Sequence, residues 1–190
     1  MANTNKAFGF RPVGRVGSTV ANNGNTSYSI ASNYGTAIYQ GDCVTLSGGY
    51  LNVATAGPIV GVFVGCQYTD PTTKKTTFKN YYPGSVVASD IVAFVVDDPS
   101  ATFVVQCSGI AAVTAPGRNA VIVTSTAGSA TTGISGQQVD VPVTGNATYA
   151  MKVIGVYNAP DVNDVLSAYA ELIVKINNHL YNSGTGTAGV

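Results

Sequence analysis

Residues 167–180 read SAYAELIVKINNHL. Leu172, Val174 and Ile176 alternate with Glu171, Ile173, Lys175 and Asn177. A side-chain period of two puts the first set on one face of an extended chain and the second on the other, which is the pattern of a half-buried strand. The neighbouring NDVLSAYAEL competes as a short helix, but from Ser167 onwards the strand fits better.

Working back from this segment, the same chemistry recurs. PIVGVFVGCQY (58–68) is an unbroken run of β-formers, as expected of a strand buried on both faces, with Gly61 and Gly65 omitting side chains where neighbours pack closely. TAIYQGDCVTL (36–46) mixes β-branched and aromatic residues around a turn or bulge at Gly41-Asp42, and Gly48-Gly49 predicts a hairpin into YLNVAT (50–55). KKTTFKNYY (74–82) alternates loosely with its lysines outward. Two further strands flank Asp97-Asp98-Pro99, a turn whose aspartates are placed to accept the following backbone amides. Residues 113–148 are rich in Thr, Gly, Ser and Ala, with Val121–Val123 as their dense apolar cluster, and predict short strands and long loops. GPIVGVFVG (57–65) and MKVIGVYNA (151–159) share an aliphatic-Gly-Val-aromatic centre, compatible with two related β layers. Together these segments predict an all-β sandwich or barrel-like domain of roughly nine to eleven strands. The domain is expected over residues 28–178, with any division into two layers near 113–148, an extended arm over 1–27 and a flexible tail over 179–190.

Composition bounds what such a domain does. Of 190 residues 45% are hydrophobic, enough for a sizeable core, while only 9% are charged, nine basic against nine acidic, where about 25% is ordinary. Nothing here attracts nucleic acid by bulk charge, and no apolar run is long enough to span a bilayer. MANTNKAFGF lacks the apolar stretch of a secretory signal, which points to a cytoplasmic origin. An uncharged surface built from Thr, Ser, Asn and Gly keeps copies apart poorly and is easily buried, so the chain reads as part of an assembly.

Chemistry-bearing residues are sparse. Cys43, Cys66 and Cys107 are odd in number and widely spaced, and read as buried thiols without a metal. His179 is the only histidine and reads as a hydrogen-bonding residue at the surface or an interface rather than a general base. Gly184, Gly186 and Gly189 spell a dinucleotide fingerprint, but no helix follows to receive a pyrophosphate, so they read as a glycine tail. The oxygens of PDVND (160–164) lack the glycine and the bidentate glutamate of a calcium loop and read as a turn. No catalytic residue, metal site or cofactor is expected. In the arm, Phe8 and Phe10 read as apolar anchors for a partner surface or as a cover for the chain's own sheet edge. Arg11 and Arg15, flanking Pro12, read as partners for carboxylates or carbonyls.

MANTNKAFGFRPVG (1–14), YQGDCVTL (39–46), GPIVGVFVGCQYTDP (57–71), TTFKNYYPG (76–84), VDDPSATFVVQ (96–106), IGVYNAP (154–160) and ELIVKINNHL (171–180) together resemble a family of tailed-bacteriophage head decoration, or capsid cement, proteins found in phages of aquatic bacteria such as cyanophages. The resemblance is one of overall pattern, weakest over 113–148, and carries no catalytic signature. It implies a homotrimer on the outer surface of the virion, bound between capsomers to the major capsid protein and to neighbouring decoration proteins. Phe8, Phe10, Arg11, Pro12 and Arg15 are then the candidate capsid or neighbour contacts. The alternative is a neck, tail or fibre component binding a host glycan through exposed tyrosines such as Tyr81 and Tyr82. Neither a coiled-coil nor a β-helix period, common in such components, is present.

Overall fold

The computed structural model describes residues 3–17, 24–141, 146–157, 164 and 167–182. Among them are fourteen short strands and no helix. Strands β1 (Arg11–Arg15), β10 (Ala101–Gln106), β11 (Asn119–Val123), β12 (Gln138–Asp140), β13 (Met151–Val156) and β14 (Glu171–Ile176) form one antiparallel sheet in the order β1-β10-β14-β13-β11-β12. The second sheet orders β2 (Thr26–Ser29), β9 (Val92–Val96), β6 (Gly61–Thr69), β4 (Cys43–Ser47) and β5 (Tyr50–Val53), and β7 (Thr76–Lys79) pairs the far half of β6. A two-residue ribbon joins β3 (Ile38–Tyr39) to β8 (Tyr81–Tyr82). The all-β class expected from the sequence is the one observed. The strand count is higher because two-residue strands are too short to show a period.

β14 follows the alternation read from its sequence: Leu172, Val174 and Ile176 are buried, whereas Glu171, Ile173 and Lys175 are half-buried on the opposite face. β6 is different. Val62 enters the core between the two sheets beside Phe103, Met151, Val153 and Leu172, while Phe63 and Cys66 enter a second core with Ile38, Tyr82, Val86 and Ile91. The second sheet is therefore covered twice, by the first sheet on one face and by the loops around 30–39 and 81–91 on the other. Gly61 makes this possible: a Cβ there would press on the Val96 carbonyl and the Val95 side chain. Gly48 and Gly49 both have positive φ, as a two-residue primed hairpin turn requires, and join β4 to β5 in the expected place.

The first sheet curls until β12 returns to β10. Cys107 and Val139 form a parallel bridge, and the Ser108 N–H donates to the Val139 carbonyl at 2.8 Å. Passage between the sheets occurs at Asp97–Ser100, where Asp98 Oδ1 accepts the Ser100 N–H (2.8 Å) and the Asp98 carbonyl accepts the Ala101 N–H (2.9 Å). The division into two layers thus lies at this corner and not near 113–148, whose strands β11 and β12 both belong to the first sheet. The reason is local: an aspartate turn reverses the chain between layers, while the Thr- and Gly-rich stretch stays within one.

Two other expectations are corrected. Residues 11–15, assigned to an arm, are the edge strand of the first sheet, and residues 3–6 lie across its outer face. There the Gln106 side chain takes the Lys6 N–H and donates to the Thr4 carbonyl (3.0 Å each), and Gln138 Nε2 donates to Asn5 Oδ1 (3.1 Å). His179 is 2% exposed rather than at the surface. Its segment pairs with Ile59 through the Asn178 carbonyl and the Leu180 N–H, which draws the ring in beneath the 97–100 corner. The glycine tail, and Pro160–Asp164 except Asp164, lie outside the described residues.

Candidate interaction site

Gly9 and Gly41 both have positive φ and meet back to back. A Cβ on Gly9 would stand 2.6 Å from Ser135 Cβ and 2.7 Å from the Gly41 carbonyl. This close passage seats Phe10: its N–H donates to the Gly41 carbonyl (2.9 Å) and its ring meets Phe103 edge-on at 6.5 Å. Phe10 is 1% exposed and part of the core, so of the two readings left open for it the one in which it packs on the chain's own sheet holds, and the one of an anchor for a partner is corrected. Phe8, two residues earlier, stays half-buried outside, with the Arg11 guanidinium 4.2 Å above its ring. Such a stack at an exposed site contributes about 0.5–1 kcal/mol and holds both groups in place.

Between this segment and β6 lies a pocket of about 290 Å³. It is lined by Phe8, Phe10, Arg11 and Pro12 from the N-terminal segment, by Val62–Val64 of β6, and by Gln40, Gly41 and Ile134. A bulge in β6 between Phe63 and Gly65 turns the partly buried Val64 toward it. Four of the five arm residues singled out from the sequence thus meet at one concavity. The fifth, Arg15, is engaged elsewhere: its Nε lies 2.6 Å from Asp98 Oδ2, an ion pair across the sheet corner.

Behind the pocket runs a polar seam that the sequence did not betray. Asp42 is buried, its carboxylate accepting the Ser135 hydroxyl (2.6 Å) and the Tyr39 N–H (2.7 Å). Burial raises its pKa, and these two hydrogen bonds only partly offset that. Gln137 Oε1 accepts the Cys43 N–H (2.8 Å) while its Nε2 donates to the Ala54 carbonyl (3.1 Å). In sequence this reads as a polar loop, Ser135-Gly136-Gln137-Gln138; in space it mortises the barrel-like first sheet to the second. The signal that could have found it is a pair of amide side chains set against the β-forming Val139.

The Tyr81-Tyr82 pair is corrected as an exposed interface. Successive strand residues face opposite ways, so Tyr82 is 0% exposed, stacked on Tyr34, with its hydroxyl donating to the Tyr34 carbonyl (3.0 Å) and accepting the Val86 N–H (3.2 Å). Tyr81 is half-buried, stacked on Tyr39 at 5.8 Å with Lys79 Nζ 5.3 Å above its ring. The exposed aromatic of this region is Phe78 on β7, at 68%.

Asp97, Asp98, His179 and the three cysteines are engaged within the fold. Asp97 accepts the hydroxyls of Thr26 (2.9 Å) and Tyr28 (2.7 Å), so the Asp97-Asp98 pair is committed to hydrogen bonds. His179 Nδ1 accepts the Tyr181 N–H (3.1 Å), which leaves the proton on Nε2 to donate to the Asp97 carbonyl (3.0 Å). Burial lowers its pKa and keeps it neutral. All three cysteines are buried free thiols, with Cys66 pushed up to about 12 by desolvation. Among the described residues no three of His, Cys, Asp or Glu gather as metal ligands, and no helix is long and apolar enough to cross a membrane.

No family model, no curated protein and no solved structure matches the chain.

Proposed function

We propose that this chain is a virion structural protein without catalytic activity: a decoration, or cement, protein that binds the outside of a phage head between capsomers. The sequence resemblance supplies the identity of the particle. The observation that carries the reading physically is the surface. Phe78, Val87, Ile110 and Val113 each stand more than 60% exposed on a chain with only 9% charged residues and no net charge. Apolar side chains exposed to this degree, with few charges to keep copies apart, supply contact points for a neighbour.

The mechanism is mass action. A protein that binds the assembled shell and not its separated subunits raises the free energy needed to part them. A trimer engages three sites at once, so individually modest contacts become durable through effective concentration.

The test is copy number relative to the major capsid protein in purified virions, by quantitative mass spectrometry. A ratio near one is expected. A handful of copies per particle would move the protein to the neck, tail or fibre, with Phe78 as its exposed aromatic contact, and absence from virions would overturn both assignments.

A further inference from the structure

The pocket between residues 8–12 and β6 has a chemistry the fold does not use. Its walls are apolar, but its rim carries two exposed polar side chains, Arg11 and Gln40. Neither side chain has a hydrogen-bond or ion-pair partner among the described residues; Arg11 only lies over the Phe8 ring. The contrast with Arg15, paired to Asp98 at 2.6 Å four residues on, is direct. The stack biases the Arg11 guanidinium toward the Phe8 ring beside the pocket, where its planar fork is open to a carboxylate. Gln40 adds a donor and an acceptor of the kind a peptide backbone satisfies.

We infer that this pocket docks an extended acidic segment of a partner protein, taking one large apolar side chain into the cavity and placing the carboxylate of an adjacent Asp or Glu on Arg11. Size is consistent with the first half: about 290 Å³, at the lower edge of the roughly 300–1,000 Å³ of ligand pockets, has room for one large apolar side chain. Charge complementarity supports the second. The choice of a polypeptide follows from what adjoins the mouth: Arg11 and Pro12 begin β1, the outermost strand of its sheet, where Val13 is 45% exposed and Val16, just past the strand's end, is 49% exposed. A chain leaving the pocket has apolar surface to follow. The inference rests on the decoration reading only in taking the partner to be another protein of the same particle.

The test uses the full chain, labelled with nitrogen-15, and two probes: acetyl-Gly-Leu-Asp-Gly-amide and its Asn counterpart. With the Asp peptide, the amides of Gly41, Val62, Val64 and Ile134 are expected to shift. The Asn peptide keeps an accepting oxygen but loses the charge, and is expected to bind about two- to fivefold more weakly, the range for an exposed ion pair. Arg11→Gln, an exposed change checked for an unaltered melting curve, should abolish that preference. Absence of shifts at these four amides up to millimolar peptide, or equal affinity for both peptides, overturns the inference. Decanoate displacing or outbinding the Asp peptide overturns it in favour of a lipid-like ligand. Virion copy number reports separately: a peptide-binding protein absent from virions sinks the capsid reading alone, and an abundant virion protein with a silent pocket sinks only the docking site.

Discussion

Strands β6 and β14 each run through the middle of a six-stranded sheet, yet they are held in opposite ways. β14 has one dry face, and its other side, with Glu171, Ile173 and Lys175, is half open. β6 has two dry faces, because the loops around 30–39 and 81–91 close over the side that the first sheet does not cover. The outer side of the first sheet is therefore half open at β13 and β14, although residues 3–6 cover it near β10, while β6 is an interior strand of the second. The difference teaches where each can change: β14 at every second residue, β6 almost nowhere.

Alanine substitutions along the two strands test this most strongly. Phe63→Ala should cost about 3–5 kcal/mol and Leu172→Ala about 2–5 kcal/mol by urea denaturation, since both leave cavities in packed cores. The neighbours separate the strands: Val62→Ala should also be clearly destabilising, whereas Ile173→Ala should cost about 1 kcal/mol or less. An Ile173→Ala penalty equal to that of Leu172→Ala would show that the outer face of the first sheet is covered after all.

A middle-sized effect comes from the motif the two sheets share. Gly61 in β6 and Gly155 in β13 occupy equivalent places in IVGV and VIGV. A Cβ on Gly61 meets backbone and side chain of β9, whereas around Gly155 nothing lies within 4 Å. Gly61→Ala should cost about 1–3 kcal/mol by overpacking, and Gly155→Ala should stay within about 0.5 kcal/mol, both read as shifts in thermal midpoint. Equal penalties would mean that the likeness of the two strands extends to their surroundings.

The smallest effect is at the seam between the sheets. His179 is held neutral, its pKa below the ordinary 6.5 because burial disfavours the cation. As pH falls below about 6.5 the unfolded chain takes up a proton before the folded one does, so stability, full above that value, is lost down to the folded-state pKa. Asp42 acts in the other direction at lower pH, because its raised pKa lets the folded state take up a proton early. His179→Gln isolates the first effect: its urea midpoint should be flatter between pH 7 and 5 than that of the parent. Parallel pH profiles for the two would exclude His179 as the source.

What the sequence made legible follows the same contrast. Periodic burial is written in composition, so the one-sided β14, the two-sided β6 and the Gly48-Gly49 hairpin were all readable. The burial of His179 was not, because the 97–100 corner that covers it is distant in the chain and its flanking asparagines are polar; for Phe10 an outside partner and the chain's own sheet stayed equally open, because Phe103, which decides between them, lies far along the chain. The Asp42–Ser135–Gln137 seam was hidden for the same reason: polar residues packed against one another look like any loop until the contacts across the chain are known. At the candidate site, residue identities were legible in Phe8, Arg11 and Pro12. The rest of the lining, Val62–Val64 with Ile134, was not, since a pocket is a property of two segments and not of either.

The clasp of residues 3–6 by Gln106 and Gln138 also bears on how the molecule comes into being. The second sheet is drawn entirely from residues 26–96, a continuous stretch that can close as it is made. Lys6, however, waits for Gln106, 100 positions later, and Asn3 waits for the Ala168 carbonyl, 165 positions later. At a synthesis rate of about 5–20 residues per second, residues 3–15 remain unplaced for on the order of ten seconds while the later strands emerge. Until those partners emerge, this apolar and cationic segment has nothing in the finished fold to pair with.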